Sequence, residues 1–263
     1  ITIWTTTPWT LPANLGLCVG PSIKYIIVTD NEKNIDLVIA EDRFEILARR
    51  HDITVKCIIE TDDLVGIEYE PLFDYYSSYR KEGAFRVFAA DFVTTDNGTG
   101  VVHAAPAFGE EDFNTLQSAG MKAIAKPIDN NGCFLTDITG YAGQYIKDAD
   151  KNILKDLKSK GLIYDHDTCV HSYPFCPRSD TPLIYMAIPS WYVNVEKIKD
   201  RLVKANEGIN WVPEHIKFGR FGKWLEGARD WAISRNRVWG TPLPIWQNDK
   251  SGKYLCIGSR SEL

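Results

Sequence analysis

Short runs of β-forming residues in the first half of the chain constrain its fold most. Six runs rich in Val, Ile, Thr and aromatic residues are separated by Pro, Gly, Asn and Asp: ITIWTT, LGLCV, KYIIVTD, IDLVIA, TVKCIIE and RVFAADFVTT. Runs of this kind are typical of strands, and the residues between them are typical of turns. The DNGTG segment between the last run and GVVHAA predicts a hairpin turn.

Helices are predicted around these strands and after them. The predicted spans are residues 41–50, 112–119, 148–160, 196–206 and 221–231. Many strands with a few peripheral helices indicate an α+β domain around a curved sheet or barrel. Because Lys, Arg and Trp become more frequent near residue 190, we predict a first domain over residues 1–190. Residues 191–263 then form a basic, helix-rich segment.

Charge is distributed unevenly along the chain. The formal net charge is −5, but from residue 191 onward 13 Lys and Arg stand against 8 Asp and Glu. A contact with a polyanion would therefore use the C-terminal part. The alternative is an accident of surface composition.

Composition and cysteine usage indicate a soluble intracellular protein. No stretch approaches the ~20 apolar residues of a membrane helix, and the N-terminus does not resemble a signal peptide. The six cysteines form no close CxxC pair, a reduced pattern. We expect a cytoplasmic monomer without a membrane partner. The chain begins inside a predicted strand without Met, as an excised piece of a larger protein would.

One group of potential zinc ligands occurs within eleven residues, at His166, Cys169, His171 and Cys176. Zinc sites usually show tighter paired spacing, so we interpret these as loop histidines and partly buried thiols. We predict no metal and no cofactor in this chain. The sequence also lacks the GxSxG, HExxH and P-loop motifs, so water is the expected nucleophile if the protein is an enzyme.

The first peptide that suggests chemistry is WTTTPWTLPAN at residues 4–14. Thr5, Thr6 and Thr7 leave a predicted strand and enter a Pro-stiffened loop. Hydroxyl groups both donate and accept, so such a cluster can bind a ribose, a carbonyl and a water. The alternative is an ordinary β-forming run that ends in a turn.

The second peptide is GTGVVHAAPAFGEEDF at residues 98–113. A predicted strand delivers His103 to a loop of small residues, which a ligand can approach closely. The loop leads into a helix whose first turn holds Asp112, where the helix dipole favours an anion. The alternative is an ordinary acidic helix start.

Together these peptides resemble the editing domain shared by isoleucyl-, valyl- and leucyl-tRNA synthetases. TTTPWTLPAN is similar to the isoleucyl branch, because the other two branches typically carry Arg at the position of Thr7. DWAISRNRVWGTP, at residues 230–242, is similar to the peptide by which the inserted domain rejoins the synthetase body. The HIGH and KMSKS signatures are absent, so amino-acid activation, with its ATP and Mg²⁺, would belong to the full-length synthetase.

The resemblance implies hydrolysis of Val-AMP and Val-tRNA(Ile) by a water-mediated, metal-free mechanism. This family is the standard example of double-sieve editing, in which a second site destroys the smaller wrong product. Asp112 would hold the α-ammonium of the valyl group, and His103 would be a wall against isoleucine or help to hold water. Thr5, Thr6 and Thr7 would bind the ribose and the attacking water. The further positions implied for substrate binding are Trp4, Asn14, Gly100, Val101 and Val102.

Two other functions remain open at this point. The chain could be a hydrolase of another aminoacyl ester, or a catalytically silent tRNA-binding insertion. The intact set of Thr, His and Asp residues counts against a silent role.

Overall fold

The computed structural model describes residues 1–168, 170, 172–236 and 240–263. Its contacts divide the chain into two compact units, Ile1–Ala187 and Ile188–Leu263. Both units contain helices and strands, so the α+β class is confirmed. The assignment of a separate function to each of residues 1–190 and 191–263 stays a prediction. None of the described helices is long and apolar enough to cross a membrane.

The first unit contains two three-stranded sheets and peripheral helices. Its strands are β1 (Gly16–Val19), β2 (Tyr25–Asp30), β3 (Ile35–Ala40), β4 (Ile53–Ile59), β5 (Arg86–Ala89) and β6 (Val101–Ala104). Its α-helices are α1 (Phe44–Ala48), α2 (Thr61–Leu64), α3 (Glu110–Ser118) and α4 (Ile146–Ser159). Three 3₁₀ segments lie at Pro8–Ala13, Glu41–Arg43 and Asp74–Glu82.

Strand β1 is the middle strand of the sheet that carries the candidate site. It pairs with β5 in parallel and with β6 antiparallel, and Leu17 lies opposite His103. The predicted hairpin between the end of RVFAADFVTT and GVVHAA is therefore wrong. Strand β5 ends at Ala89, and the segment that follows it leads to the other side of β1 instead of back along β5.

The other sheet is antiparallel in the order β3-β2-β4. Backbone bonds connect β3 to segments outside the strands, from Thr2 N–H to Val38 O at 3.3 Å and from Ala40 N–H to Thr99 O, two residues before β6, at 2.8 Å. No strand pairing among the described residues closes them into a barrel, so the barrel-like core is not confirmed. The outer edge of β5 is instead covered by residues 66–69, as in the bond from Gly66 N–H to Val87 O.

The predicted strand over residues 1–6 is wrong, and a 3₁₀ helix follows at Pro8–Ala13. Proline has a fixed φ and no N–H, so it suits the first position of a helix and interrupts a strand ladder. Bonds from Thr10 N–H to Thr7 O and from Asn14 N–H to Leu11 O close the turns. The threonines thus lie in a loop and a helix start.

Most remaining elements of this unit follow the predicted pattern, but the helix predicted over residues 41–50 forms only as the 3₁₀ turn Glu41–Arg43 and the short α1. Helix α2 and the 3₁₀ segment Asp74–Glu82 were not predicted. Strands β1 to β4 and β6 form where their runs predict them, and α3 and α4 extend slightly beyond the predicted starts. The buried residues of α4 recur every three or four positions, which places one apolar stripe against the core. They are Ile146, Ala149, Ile153 and Leu157.

The second unit is only partly helical. It contains α5 (Lys199–Glu207), α6 (His215–Phe218) and α7 (Arg220–Glu226), with a 3₁₀ turn at Glu196–Ile198. Short strands form two pairs: β7 (Tyr192–Val193) with β8 (Trp231–Ala232), and β9 (Ile245–Gln247) with β10 (Tyr254–Cys256). The helix predicted over residues 221–231 stops at Glu226, before Gly227, and Trp231 lies in a strand.

A substitution at Gly100 tests the close packing before β6. Its φ is +76°, and a Cβ there would overlap with Ala40 Cβ. We expect Gly100→Ala to lower the free energy of unfolding by about 3 kcal/mol, from backbone strain and overpacking together. The matched control is Gly66→Ala. Gly66 has a φ of +86°, and the exchange to Ala there would place a Cβ with no neighbouring atom within 4 Å. Backbone strain alone should therefore cost about 1 kcal/mol. Equal losses of unfolding free energy for the two variants, measured by urea denaturation, would contradict this account.

Candidate active site

Three threonine hydroxyls form a row where the 3₁₀ helix begins. Thr5 Oγ1 accepts a hydrogen bond from Thr7 N–H at 3.0 Å and lies 3.3 Å from Thr7 Oγ1. Thr10 Oγ1 lies 3.3 Å from Thr7 Oγ1 and donates to Thr7 O at 2.8 Å. Because a 3₁₀ turn contains three residues, Thr7 and Thr10 share one side of it. Thr6 is exposed.

The row ends on the buried imidazole of His103. Its Nε2 lies 2.9 Å from Thr10 Oγ1, and its Nδ1 lies 3.3 Å from Asn14 Nδ2. Strand β6 places this ring beside the 3₁₀ helix, and only 9% of the residue is exposed. Both ring nitrogens therefore have protein partners.

The surrounding bonds determine which nitrogen of His103 carries the proton. Asn14 Nδ2 donates to Gly16 O at 2.8 Å, and Asn14 Oδ1 accepts from the Tyr69 hydroxyl at 2.5 Å. The amide N–H thus faces Nδ1, which must accept, and the proton lies on Nε2 and points to Thr10. Burial lowers the pKa of His103 to about 4. In this geometry the ring is neutral at pH 7, and its one lone pair is already engaged.

Asp112 is tied to the same strand end through the backbone. It lies in the first turn of α3, and its Oδ2 accepts from Ala105 N–H at 2.9 Å, two residues after His103. Burial raises the pKa of Asp112, and the Ala105 N–H opposes part of that rise. A bound cation would also favour the ionised carboxylate. A Cβ at Gly109 would lie 2.7 Å from Asp112 Oδ2, so a side chain there would displace the carboxyl group.

Aromatic packing joins the two peptides that the sequence singled out. Trp9 follows the threonine run and Phe108 precedes α3; their ring centroids are 4.8 Å apart, edge to face. Trp9 is 4% exposed, and its indole Nε1 has no hydrogen-bond partner among the described residues. The packing between the two peptides thus leaves one buried N–H donor unpaired among the described residues.

The other residues implied for substrate binding have structural contacts of their own. Trp4 is half-exposed and covers Gly98, whose added Cβ would lie 3.0 Å from Trp4 Cβ. Gly100 O accepts from the Tyr25 hydroxyl at 2.7 Å, and Val101 is buried in the core. Val102 is half-buried. Their binding roles stay predictions, whereas Asn14 belongs to the His103 network.

Sequence reasoning missed two residues of this network. Thr10 was overlooked as a partner of His103, although its three-residue spacing from Thr7 in a Pro-flanked peptide was a usable signal. Tyr69 stands 55 positions from Asn14 and belongs to no recognisable motif, so only the folded chain reveals it.

The described residues contain no group of three or more His, Cys, Asp or Glu side chains that could hold a metal ion. Of the four potential zinc ligands considered above, Cys169 and His171 lie outside the described part of the chain. The zinc interpretation is therefore tested only in part.

The family model of the tRNA synthetases class I (I, L, M and V) matches residues 44–263, and the chain belongs to this family. It is 52% identical to an isoleucine–tRNA ligase of Bdellovibrio bacteriovorus over 100% of this chain, and 51% identical to one of Chlamydia pneumoniae over 99%. It spans 25% of the length of each of these relatives.

Solved structures of leucyl-tRNA synthetase editing domains were also matched. That of the P. knowlesi cytosolic enzyme is 11% identical, with a TM-score of 0.45, and the match covers 70% of this chain and 83% of that chain. That of the P. falciparum cytosolic enzyme is 10% identical, with a TM-score of 0.44, over 59% and 75% of the two chains.

The low pKa of His103 predicts a pH-dependent stability. Because its pKa is lowered from 6.5 to about 4 on folding, the unfolded chain takes up the proton first as the pH falls. The contribution of neutral His103 to the free energy of unfolding is therefore complete above pH 6.5 and is lost as the pH falls towards 4. Between pH 7 and pH 5, the wild type should lose about 2 kcal/mol more unfolding free energy than His103→Gln, which does not titrate. Parallel pH profiles of the two proteins in urea denaturation would rule out this origin.

Proposed function

We propose that this chain is the editing domain of an isoleucine–tRNA ligase. It hydrolyses Val-AMP and Val-tRNA(Ile), with water as the nucleophile. The observation that carries the proposal is the continuous network from the threonine hydroxyls to His103, with Asp112 bonded to Ala105 N–H just after the strand that carries His103. The rest of the ligase is the proposed partner, and the cytoplasm is the proposed location.

Asp112 is the proposed anchor for the amine of the substrate. An aminoacyl ester carries a free α-ammonium group, and a carboxylate binds it through a charge-assisted hydrogen bond. The Ala105 N–H fixes the orientation of the carboxyl group, and partial burial strengthens its attraction for a cation. Capture of the ammonium would also offset the rise in the pKa of Asp112 that burial causes.

His103 is the proposed wall that separates valine from isoleucine. Its ring is bonded on both sides, by Thr10 and by Asn14, so it cannot swing aside without breaking buried hydrogen bonds. A pocket that admits one substrate and lacks room for one more methylene discriminates about 10–200-fold. The engaged lone pair favours this steric role over that of a general base.

The threonine row is the proposed site for the ribose and the water. An aminoacyl ester is already reactive, so correct geometry with modest charge stabilisation suffices for hydrolysis. The hydroxyls of Thr5 and Thr7 can accept from water and donate to an ester oxygen. The basic C-terminal unit would contact the tRNA backbone.

The assay that tests the proposal measures release of radiolabelled amino acid from charged tRNA. The wild-type chain should deacylate Val-tRNA(Ile) and spare Ile-tRNA(Ile). Asp112→Ala should lower kcat/KM about a hundredfold, since about 2.7 kcal/mol of charge-assisted bonding is lost. The control is Glu111→Ala, which removes the exposed neighbouring carboxylate. Full turnover by Asp112→Ala would refute the anchoring role.

The same assay separates the two other functions. A chain that binds tRNA(Ile) and releases no valine would be a silent insertion. A chain that hydrolyses a different aminoacyl ester and leaves Val-tRNA(Ile) intact would be another deacylase.

A second variant tests the wall. His103→Ala should raise hydrolysis of Ile-tRNA(Ile) at least about tenfold, because the pocket gains room for one methylene. Hydrolysis of Val-tRNA(Ile) by the same variant is the internal control for an intact fold. If this variant still spares the cognate product, the wall lies elsewhere.

A further inference from the structure

Helix α4 contacts the start of the 3₁₀ helix that carries the threonines. Trp9 and Leu11 share one buried cluster with Ile146 and Ile153 of α4. At the edge of this cluster, Asp150 Oδ1 accepts a hydrogen bond from Trp9 N–H at 2.8 Å. The two residues are 141 positions apart in sequence, so the bond is purely tertiary.

The backbone N–H groups at the start of the 3₁₀ helix need a hydrogen-bond acceptor from another part of the chain. Helix N-termini leave backbone N–H groups without intrahelical partners, and a side chain at the cap position usually accepts one of them. Here Thr7 occupies that position and makes no such bond, because its hydroxyl faces Thr5 and Thr10. Pro8 has no N–H. The first available donor is Trp9 N–H, and Asp150 accepts from it.

The location of this bond links it to the site. Trp9 lies between Thr7 and Thr10 in sequence, so a fixed Trp9 backbone fixes the turn that aligns their hydroxyls. We propose that Asp150 is a positioning residue for the editing reaction, holding the threonine row in register with His103 through Trp9 N–H. This inference rests on the proposed function.

Burial of the Asp150 carboxyl group costs free energy that an apolar side chain at this position would not cost. The carboxyl lies beside an apolar cluster and is half-buried, and burial raises its pKa to about 6. The Trp9 N–H and Lys147 offset part of that cost. An apolar side chain could cover the cluster without this penalty, but it could not accept the N–H of Trp9.

The test compares three variants of the full chain in steady-state hydrolysis of Val-tRNA(Ile). Asp150→Ala should lower kcat about tenfold, equivalent to about 1.4 kcal/mol, with KM within about twofold of wild type. Asp150→Asn should stay within about threefold of wild type, because its amide oxygen still accepts from Trp9 N–H. The matched control is Asp156→Ala, on the same helix, where the lost bond is the one from the Tyr141 hydroxyl at 2.7 Å.

A second readout does not depend on activity. Hydrogen exchange at the Trp9 amide should accelerate in Asp150→Ala and stay slow in Asp150→Asn and Asp156→Ala. Wild-type kcat in Asp150→Ala, an equal loss of kcat in Asp156→Ala, or unchanged exchange at Trp9 each overturns the positioning role alone. A wild-type chain that releases no valine overturns the proposed function, and the inference with it.

Discussion

The imidazole of His103 is buried, and a buried polar group is costly unless each of its hydrogen-bonding atoms has a partner. Both nitrogens are satisfied by residues of one short peptide, Thr10 and Asn14, which lies about ninety positions earlier in the chain. The two peptides are therefore joined by the hydrogen bonds that the buried imidazole needs, as well as by apolar packing. Removal of one member leaves an orphaned donor or acceptor in the next, so the network acts as a unit.

The same network separates the chemical roles of the two titratable groups at the site. His103 is held neutral with its lone pair occupied, whereas Asp112 retains a carboxyl group with a raised pKa at the edge of the protein interior. A neutral, immobile ring suits a boundary of fixed shape. A carboxyl that gains from a nearby cation suits recognition of an amine. These properties support the proposed roles of His103 as a wall and of Asp112 as the anchor for the amine.

The sequence predicted the local elements well and the long-range ones poorly. Runs of β-branched and aromatic residues marked β2 and β3, and the stripe of α4 is visible from its spacing alone. The predicted hairpin before β6 was wrong because β1, from far earlier in the chain, lies between β5 and β6. No local sequence pattern reveals this arrangement. The strand at residues 1–6 failed because Pro8 outweighed the β propensity of the threonines. The two site peptides were recognised as motifs, but the contributions of Tyr69 and Asp150 required the fold.

Strand β1 follows the 3₁₀ helix almost at once, with only Asn14 and Leu15 between them. As the middle strand it is bonded along both edges, so the loop that bears the hydroxyls is attached to the least mobile part of the sheet. The end of the 3₁₀ helix is therefore held by two strand pairings together, whereas its start at Trp9 depends on a single side-chain acceptor, Asp150.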